Sequence, residues 1–409
     1  MAHRRLLLAA VLCAGSLSLA APGVASDRPV ADGPTASSEV AARVVRQRAT
    51  LQMHPQIAQP GTAIAAAASA RSAMTATFRP RKKGRPVVLQ RKQGSRWVKV
   101  ARARQPRSGR VEFRAPYSRN GQRVTYRVAA ARFDGLRPVA TRGVSTGVVG
   151  DADFIDEFRG SALDAEVWSH RSQHYDARNR QCSKGDPRAV AVSGGRLALR
   201  VLDDPDRGNG CDPTLVDGKD KYAWRLNGHV GTEGVGREEG GYSMRYGYAA
   251  ARIKFQPESG QHGAFWMMPE RSADTARVGS ASSTGAEIDA IEWFGPDTRD
   301  GLGNFVHYWP QSEDDPVKVG DRIKDASRFG RGWASSYHVF SVEWTPSRYV
   351  FRIDGQETYR TSRGVSGQPE YLILSLLSSD YELHKIRQGD LPQTMSVDWV
   401  RTWERPSVS

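Results

Sequence analysis

Short strand-like segments, repeated over residues 61–405, constrain the fold of this chain more than any other feature. Apolar or alternating stretches recur with Gly-containing turns between them, and no stretch shows a sustained helical period. Forty Gly and 22 Pro among 409 residues agree with a chain that turns often. We therefore predict an all-β protein made of packed antiparallel sheets.

Charge divides the chain near residue 150. Residues 41–150 hold 24 Lys and Arg against two acids, whereas residues 151–409 hold 32 against 39. A split this sharp predicts two folded units with different roles. We assign residues 61–148 to a small basic β-sandwich and residues 149–409 to a second domain, which contains the acidic segment 285–294. Residues 26–60, rich in Pro and small residues, are predicted to be a linker.

The first residues have the layout of a secretory signal. His3-Arg4-Arg5 is a basic start, an apolar run follows from Leu6 to Ala21, and Gly23-Val24-Ala25 offers a small-residue cleavage site. The alternative is a membrane anchor, but the run is short for a span. We expect residues 1–25 to be removed, leaving a secreted, extracellular protein with no membrane attachment.

Cysteine usage agrees with export. Of the three Cys, Cys13 lies in the expected signal peptide, so Cys182 and Cys211 remain as an even pair in an oxidising compartment. We expect these two to form a disulfide.

Three acids in the segment 285–294 carry the chemistry. Glu287 and Asp289 are two positions apart, so in a strand they share a face. Glu292 is five positions from Glu287, an odd offset that would put it on the opposite face. A β-bulge adds one residue and would bring Glu292 back to the side of the other two acids. A merely exposed polar strand is the alternative, but it leaves three close carboxylates repelling one another without benefit.

Hydrolysis of a glycosidic bond needs two carboxyl groups, one anionic and one protonated. At a separation of about 5–5.5 Å such a pair supports retention through a glycosyl-enzyme intermediate. We expect Glu287 to attack the anomeric carbon and Glu292 to protonate the leaving oxygen and then activate water. Asp289 is expected to hydrogen-bond to Glu287 and to keep the protonation states of the pair apart.

The segment Glu287-Ile288-Asp289-Ala290-Ile291-Glu292 resembles the signature of glycoside hydrolase family 16, in its bulged form. The resemblance covers about residues 151–405, where further segments follow in the family's order: Asp156-Glu157-Phe158, 248–254, 264–269, His307-Tyr308-Trp309, 337–346, 351–355 and 397–401. It implies a concanavalin-like β-jelly-roll sandwich with a long cleft, and for Glu287, Asp289 and Glu292 it implies the roles given above. The bulged motif is typical of β-1,3-glucanases (laminarinases), agarases and carrageenases.

Aromatic residues near the motif are candidates for sugar contact, because sugar rings stack on aromatic planes. We select Trp224, Trp266, Trp293 and Trp309 as substrate-binding residues, and His307 by its match to the family. The alternative for any Trp is a place in the core. We prefer the core for three others: Trp344, Trp399 and Trp403.

Further expectations concern a metal ion and the partner of the basic domain. The resemblance implies a possible structural calcium near Asp398, although no cofactor is required for the chemistry. The segments 87–90, 97–100 and 126–128 make the basic domain resemble immunoglobulin-like modules of secreted bacterial enzymes. Its charge suggests binding to an anionic cell-wall polymer, with a solvated basic face as the alternative, while export argues against nucleic acid. We expect a monomer.

The predicted function is therefore a secreted, retaining endo-glycoside hydrolase acting on β-1,3-glucan or β-1,3-1,4-glucan. Three alternatives on the same fold stay open: a non-catalytic, lectin-like glucan-binding protein, a transglycosylase, and a galactan hydrolase of the agarase or carrageenase type. The intact pair Glu287 and Glu292 argues against the lectin, which has no need of both.

Overall fold

The computed structural model describes residues 46–175, 180–213, 221–234, 240–271, 276–297 and 301–404. Strands dominate throughout, as predicted. The single α-helix among these residues is one turn, Ala281–Thr284, and the 3₁₀ turns are Ala67–Ser69, Thr146–Val149, Pro187–Ala189, Ala326–Arg328, Asp380–Lys385 and Gln388–Asp390. No helix in the described ranges is long and apolar enough to cross a membrane.

The basic domain is a small sandwich of two antiparallel sheets. Its strands are β1 (Arg48–Met53), β2 (Ser72–Arg79), β3 (Pro86–Gln93), β4 (Arg96–Arg104), β5 (Arg110–Ala115), β6 (Ser118–Arg119), β7 (Gln122–Arg123), β8 (Thr125–Ala130), β9 (Val139–Ala140) and β10 (Val144–Ser145). One sheet has the order β1-β2-β5, and the other has β10-β8-β3-β4 with β9 also paired to β8. The Tyr126 hydroxyl donates to the Pro116 carbonyl at 2.9 Å, and the likeness of this domain to immunoglobulin-like modules stays a prediction.

The second domain is a larger sandwich, which confirms the predicted jelly roll. Its strands are β11 (Phe154–Asp156), β12 (Ser169–His170), β13 (Ser183–Gly185), β14 (Val190–Val192), β15 (Leu197–Asp203), β16 (Asn209–Cys211), β17 (Tyr222–Ala223), β18 (Arg225–Gly231), β19 (Ser243–Met244), β20 (Gly247–Lys254), β21 (His262–Pro269), β22 (Glu287–Trp293), β23 (Leu302–Tyr308), β24 (Val317–Arg322), β25 (His338–Thr345), β26 (Arg348–Ile353), β27 (Gln356–Thr361), β28 (Glu370–Leu377) and β29 (Gln393–Glu404).

Two sheets face each other in this domain. The first runs β14-β15-β29-β20-β25-β26-β27, with β11 paired to β29. The second runs β18-β28-β21-β22-β23-β24. Strand β18 pairs with β15 near its start and with β28 near its end, so it passes from one sheet to the other. We call the first the outer sheet and the second the cleft sheet.

The core between the sheets is apolar and follows the period-2 alternation of the strands. The cleft sheet contributes Phe265, Ile288 and Leu374, and the outer sheet contributes Ala251 and Phe340, all fully buried in one cluster. The opposite face of each strand is therefore left for other tasks, which are contact with the basic domain on the outer sheet and the functional site on the cleft sheet.

The outer sheet is covered by the segment that precedes β2. Ile57, Ala67 and Ala73 pack with Tyr248 and Trp399 in a second buried cluster. The predicted linker of residues 26–60 therefore ends earlier than expected. Its last part forms β1 and then packs on the second domain, whereas residues 26–45 lie outside the described ranges.

Arg252 binds this covering segment to the outer sheet. Its guanidinium, 1% exposed, pairs with Asp398 and donates to the carbonyls of Gln59 at 2.7 Å and Ala63 at 2.9 Å. Residues 46–404 belong to one compact unit, in which the two sandwiches share a buried interface.

Candidate active site

The acid motif forms β22, at the middle of the cleft sheet. Its start is set by Gly285, whose φ of +83° favours glycine, and whose added Cβ would lie 2.2 Å from Pro269. The next amide, of Ala286, donates to the buried Glu370 carboxyl at 3.2 Å. These contacts fix where β22 begins and thus which way each of its side chains points.

The predicted bulge is present. On the β21 side, Trp266 pairs with Asp289 while Phe265 pairs with Ile291, so Ala290 is the extra residue. On the β23 side the register shifts between Asp289 and Glu292. The inserted residue restores the parity of the strand, so Ile288, Ala290 and Ile291 all enter the core.

The bulge brings the three acids to one face. Glu287, Asp289 and Glu292 line a single cavity of about 220 Å³ on the cleft sheet. The rest of the cavity lining comes from two strands, β21 and β28, and from one residue that precedes β13: His262, Ala264, Trp266, Ser375, Leu377 and Arg180.

Asn304 supports the bulge, a role that no local sequence pattern indicated. Its amide nitrogen donates to the Ala290 carbonyl at 2.7 Å, and its amide oxygen accepts from the Thr358 hydroxyl at 2.8 Å. A bulge leaves a carbonyl outside the regular ladder, and a buried carbonyl needs a partner. Asn304, 1% exposed, supplies that partner.

Burial and crowding raise the pKa of all three acids. Burial, followed by the charge of Glu292, raises the pKa of Glu287 to about 7. Burial, followed by the charges of Glu287 and Glu292, raises the pKa of Asp289 well above its usual value. The pKa of Glu292 is raised by burial and held back by His262 and Lys318. Three such groups cannot all ionise, so protons stay in the site at neutral pH.

Asp289 is placed to hold one of those protons. It is 3% exposed, and its Oδ2 has no hydrogen-bond partner among the described residues. The nearby His307 has Nε2 at 3.5 Å from this oxygen. Burial, with Lys318 beside it, lowers the pKa of His307 to about 4, so this histidine is neutral near pH 7. A protonated Asp289 can donate a hydrogen bond and leave the negative charge to a glutamate.

A histidine–glutamate pair lies beside Glu292. His262 Nδ1 is 2.6 Å from Glu382 Oε2, and its ring stacks on Phe294 at 5.3 Å between centroids. Burial opposes protonation of His262, but the Glu382 carboxylate outweighs it and raises the pKa of the histidine. The two residues are 120 positions apart, and neither was selected from the sequence.

The predicted aromatic contacts divide into two groups. Trp266 lines the cavity, with its Nε1 donating to Ser375 Oγ at 3.1 Å, and His307 faces Asp289. Trp309 follows β23 and faces Arg271, whose guanidinium lies 5.7 Å from the ring. It is not among the residues that line the cavity.

Two tryptophans lie elsewhere. Trp293 is 8% exposed in the core, with its Nε1 donating to the Gln256 carbonyl at 3.0 Å, so its predicted sugar contact is wrong. Trp224 packs against Tyr175 and under Arg207, outside the cavity lining. It belongs to a small cluster around Cys182 and Cys211, whose sulfurs are bonded and whose Cα atoms are 5.6 Å apart. The three tryptophans assigned to the core are buried: Trp344, Trp399 and Trp403.

Two places bear on metal binding: the surroundings of Asp398 and the acids of the cleft. The surroundings of Asp398 do not fit the suggested calcium, because its carboxylate already pairs with Arg252 and accepts from the Ala65 amide at 3.1 Å. In the cleft, Glu287, Asp289 and His307 each offer one ligand atom within 4.8 Å of the others. A cation there would compete with the protons that these buried groups retain.

Comparison with known proteins shows similarity to glycoside hydrolases. Residues 231–401 match the family model "Glycosyl hydrolases family 16". The chain is 26% identical over 277 residues to a glucan endo-1,3-beta-glucosidase A1 from Niallia circulans, covering 61% of this chain and 37% of that protein. It is 29% identical over 263 residues to a keratan-sulfate endo-1,4-beta-galactosidase from Sphingobacterium multivorum, covering 62% and 55%. The chain thus spans between a third and somewhat over half of these relatives' lengths.

Among solved structures, the laminarinase catalytic domain from Thermotoga maritima MSB8 is similar in fold. The identity is 20%, the TM-score is 0.48, and the match covers 62% of this chain and 98% of that one.

Proposed function

We propose that the chain is a glycoside hydrolase of family 16, whose family model matches residues 231–401, and that it acts as a retaining endo-hydrolase of β-1,3-glucan or β-1,3-1,4-glucan. One observation carries the proposal: the bulge at Ala290 turns Glu287, Asp289 and Glu292 onto one face of a single cavity. A lectin-like protein would have no use for three buried carboxyls whose repulsion costs stability.

The proposed reaction is a double displacement. Glu287, once ionised, attacks the anomeric carbon while Glu292 gives its proton to the leaving oxygen. Glu292 then takes a proton from water, which attacks the glycosyl-enzyme and releases Glu287. Asp289 keeps a proton and donates a hydrogen bond to Glu287, which tunes when that group loses its charge.

Relatives favour two substrate classes. The similarity to a glucan endo-1,3-beta-glucosidase supports β-1,3-glucan. The second candidate is a β-linked galactan, supported by the 29% identity to a keratan-sulfate endo-galactosidase. Positive charge near the acids also supports the second candidate, since it would attract a galactan that carries sulfate groups. Arg180 lines the cavity, and Lys318 lowers the pKa of the acids through its charge.

A substrate panel separates the two. Purified protein is incubated with laminarin, lichenan, agarose, carrageenan and keratan sulfate, and new reducing ends and product lengths are measured. We expect internal cleavage of laminarin, with short oligosaccharides appearing early. Cleavage of keratan sulfate or agarose alone would reject the glucan in favour of the galactan. Transfer products formed with added oligosaccharide acceptors would indicate transglycosylation.

Stereochemistry tests the mechanism separately. Proton NMR of the first products should show the β anomer, followed by slow mutarotation. Initial release of the α anomer would mean inversion and would reject the assignment of Glu287 as nucleophile.

We also propose that the protein is exported. The basic and apolar pattern of residues 1–25 and the Cys182–Cys211 disulfide support this. N-terminal sequencing of protein recovered from the culture medium should begin just after residue 25. Protein retained in the cell with its first residues intact would contradict export.

A further inference from the structure

The basic domain has a surplus of cations that its own acids do not neutralise. Between residues 46 and 150 there are 23 Lys and Arg against Glu112 and Asp134. Asp134 is bound to Lys82 at 2.6 Å, and Glu112 accepts from the Glu357 amide at 3.1 Å, at the interface with the second domain. Two of the cations pair with acids of the second domain, Arg110 with Glu357 and Arg123 with Asp151, and these acids are too few to neutralise the others. The basic domain therefore presents a net positive charge to partners outside the chain.

A groove gathers part of this charge. It has a volume of about 530 Å³ and lies between the end of β3 and the β6–β7 hairpin. Four cationic and three amide side chains line it: Arg91, Lys92, Arg119, Arg123, Gln93, Asn120 and Gln122. None of the described residues lining it is acidic.

The groove is held in shape by local contacts. Asn120 and Gly121 have positive φ, so they form the tight turn that pairs Arg119 with Gln122 across the hairpin. Arg91 donates to Gln93 Oε1 at 3.1 Å. Arg123 lies 4.0 Å above the Tyr117 ring and pairs with Asp151 at 2.7 Å. Cations held in this way lose less freedom when they bind.

The charges of this region act on the same buried group. Burial raises the pKa of the Tyr126 hydroxyl to about 12, and Arg91, Arg71 and Arg119 all act to lower it. The side chains of Arg91 and Arg119, from two different elements, therefore contribute to one positive field.

We propose that this groove binds an acidic polysaccharide, a glycan whose sugars carry carboxylate or sulfate groups. Guanidinium groups match such oxyanions with paired hydrogen bonds, and the three amides suit sugar hydroxyls. Sites for single-stranded nucleic acid combine cations with aromatic stacking platforms. No aromatic side chain is among the residues lining this groove.

Binding in the groove is separate from cleavage. The cleft acids lie on the cleft sheet, whereas the basic domain and the segment before β2 cover the outer sheet of the sandwich. The groove thus holds the enzyme to a charged matrix while the cleft stays open to its substrate.

Full-length protein, a groove variant and a matched control test the proposal. The groove variant is R91Q/K92Q/R119Q. The control is K99Q/R102Q/R107Q, which removes the same charge from exposed positions that do not line the groove. Retention of each protein is measured on immobilised polygalacturonate, dextran sulfate, single-stranded DNA and neutral dextran over a salt gradient. Melting temperature and hydrolysis of a soluble neutral glucan serve as checks on folding and on the cleft.

We expect the unaltered protein to be retained on one or both charged matrices and not on neutral dextran. The groove variant should lose about tenfold or more in affinity, while the control loses less than about twofold. The two charged matrices distinguish carboxylate from sulfate recognition. Equal losses in both variants would mean diffuse charge and overturn the site. No retention of the unaltered protein at low salt would overturn it as well. Equal groove-dependent retention on single-stranded DNA would overturn the choice of ligand. Each outcome is read independently of whether glucan is cleaved.

Discussion

Buried carboxyls occur on both sheets of the larger sandwich, and the two sheets treat them in opposite ways. On the outer sheet, Asp398 pairs with Arg252, and Glu343 lies 2.8 Å from Arg352. On the cleft sheet, Asp289 has one oxygen with no hydrogen-bond partner in the described part of the chain and faces a neutral histidine. The acids of the outer sheet are neutralised by arginine and hold structure together. The acids of the cleft have no such partner, so they keep protons that catalysis can move.

Replacement of Glu287 by Gln should give the largest effect on activity. The variant keeps the shape of the side chain but has no nucleophile, so kcat/KM should fall on the order of 10⁴-fold or more. Initial rates of reducing-end release measure this loss. Asp398→Asn, on the opposite sheet, is the control and should keep the kcat of its folded fraction. Near-normal activity of Glu287→Gln would remove this residue from the chemistry.

The same substitution should stabilise the fold at alkaline pH. The folded-state pKa of Glu287 is raised to about 7, so the folded protein binds more protons than the unfolded one. Burial of Glu287 therefore does not lower the free energy of unfolding below the unfolded pKa of this group. Above that pKa the free energy of unfolding falls as pH rises, and the loss is nearly complete once pH has passed 7. Glu287→Gln should gain roughly 1–3 kcal/mol at pH 8 and little at pH 4, measured by urea unfolding. A gain that is larger at pH 4 would contradict the assigned shift.

On the outer sheet, loss of a single partner should be destabilising. Arg252→Met leaves Asp398 buried without a counter-charge and frees the carbonyls of Gln59 and Ala63. We expect a loss of about 3–5 kcal/mol in the free energy of unfolding. The double variant R252M/D398N should recover part of it. An effect of Arg252→Met below about 1 kcal/mol would show that the pair does not hold the interface.

The site could be predicted from sequence where the information is local. The odd spacing of Glu287 and Glu292 indicated a bulge because strand parity is a property of neighbouring residues. The same parity signals that Trp293, next to Glu292, points to the core, although its place in the motif suggested sugar contact. Contacts between distant segments left no such signal. Asn304 reaches Ala290 across a strand pair, and Glu382 reaches His262 from 120 positions away.

The fold, too, could be predicted where the signal is local and not where it depends on distant segments. Alternation within the strands predicted two sandwiches, and the change in charge near residue 150 predicted the boundary between them. The segment of residues 54–60 has no period, because its environment is set by the outer sheet rather than by its own repeat. Ile57 is fully buried there although nothing near it in sequence indicates burial. The predicted linker was therefore too long.

Loss of the side chain that supports the bulge should have a moderate effect on stability and on activity. Asn304→Ala leaves the Ala290 carbonyl without its partner, at a cost of about 1–3 kcal/mol in stability. Because the bulge sets the position of Glu292, kcat should also fall, with KM little changed. Thr358→Val is the matched control, since it removes only the bond to the Asn304 amide oxygen and should have the smaller effect. Equal effects of both variants would assign the role to the hydroxyl instead.

The smallest effect should be a shift in the pH profile. The pKa of His262 is raised by the Glu382 carboxylate, and the positive charge of His262 lowers the pKa of Glu292, so His262→Gln should raise the pKa of Glu292. The general acid would then keep its proton to higher pH, and the alkaline limb of kcat/KM should move up by about half a pH unit to one unit. Glu382→Gln should move it less, because this change removes two opposing influences: a carboxylate that raises the pKa of His262 and a negative charge that raises the pKa of Glu292. A downward shift in His262→Gln would mean that the histidine acts on Glu287 rather than on the proton donor.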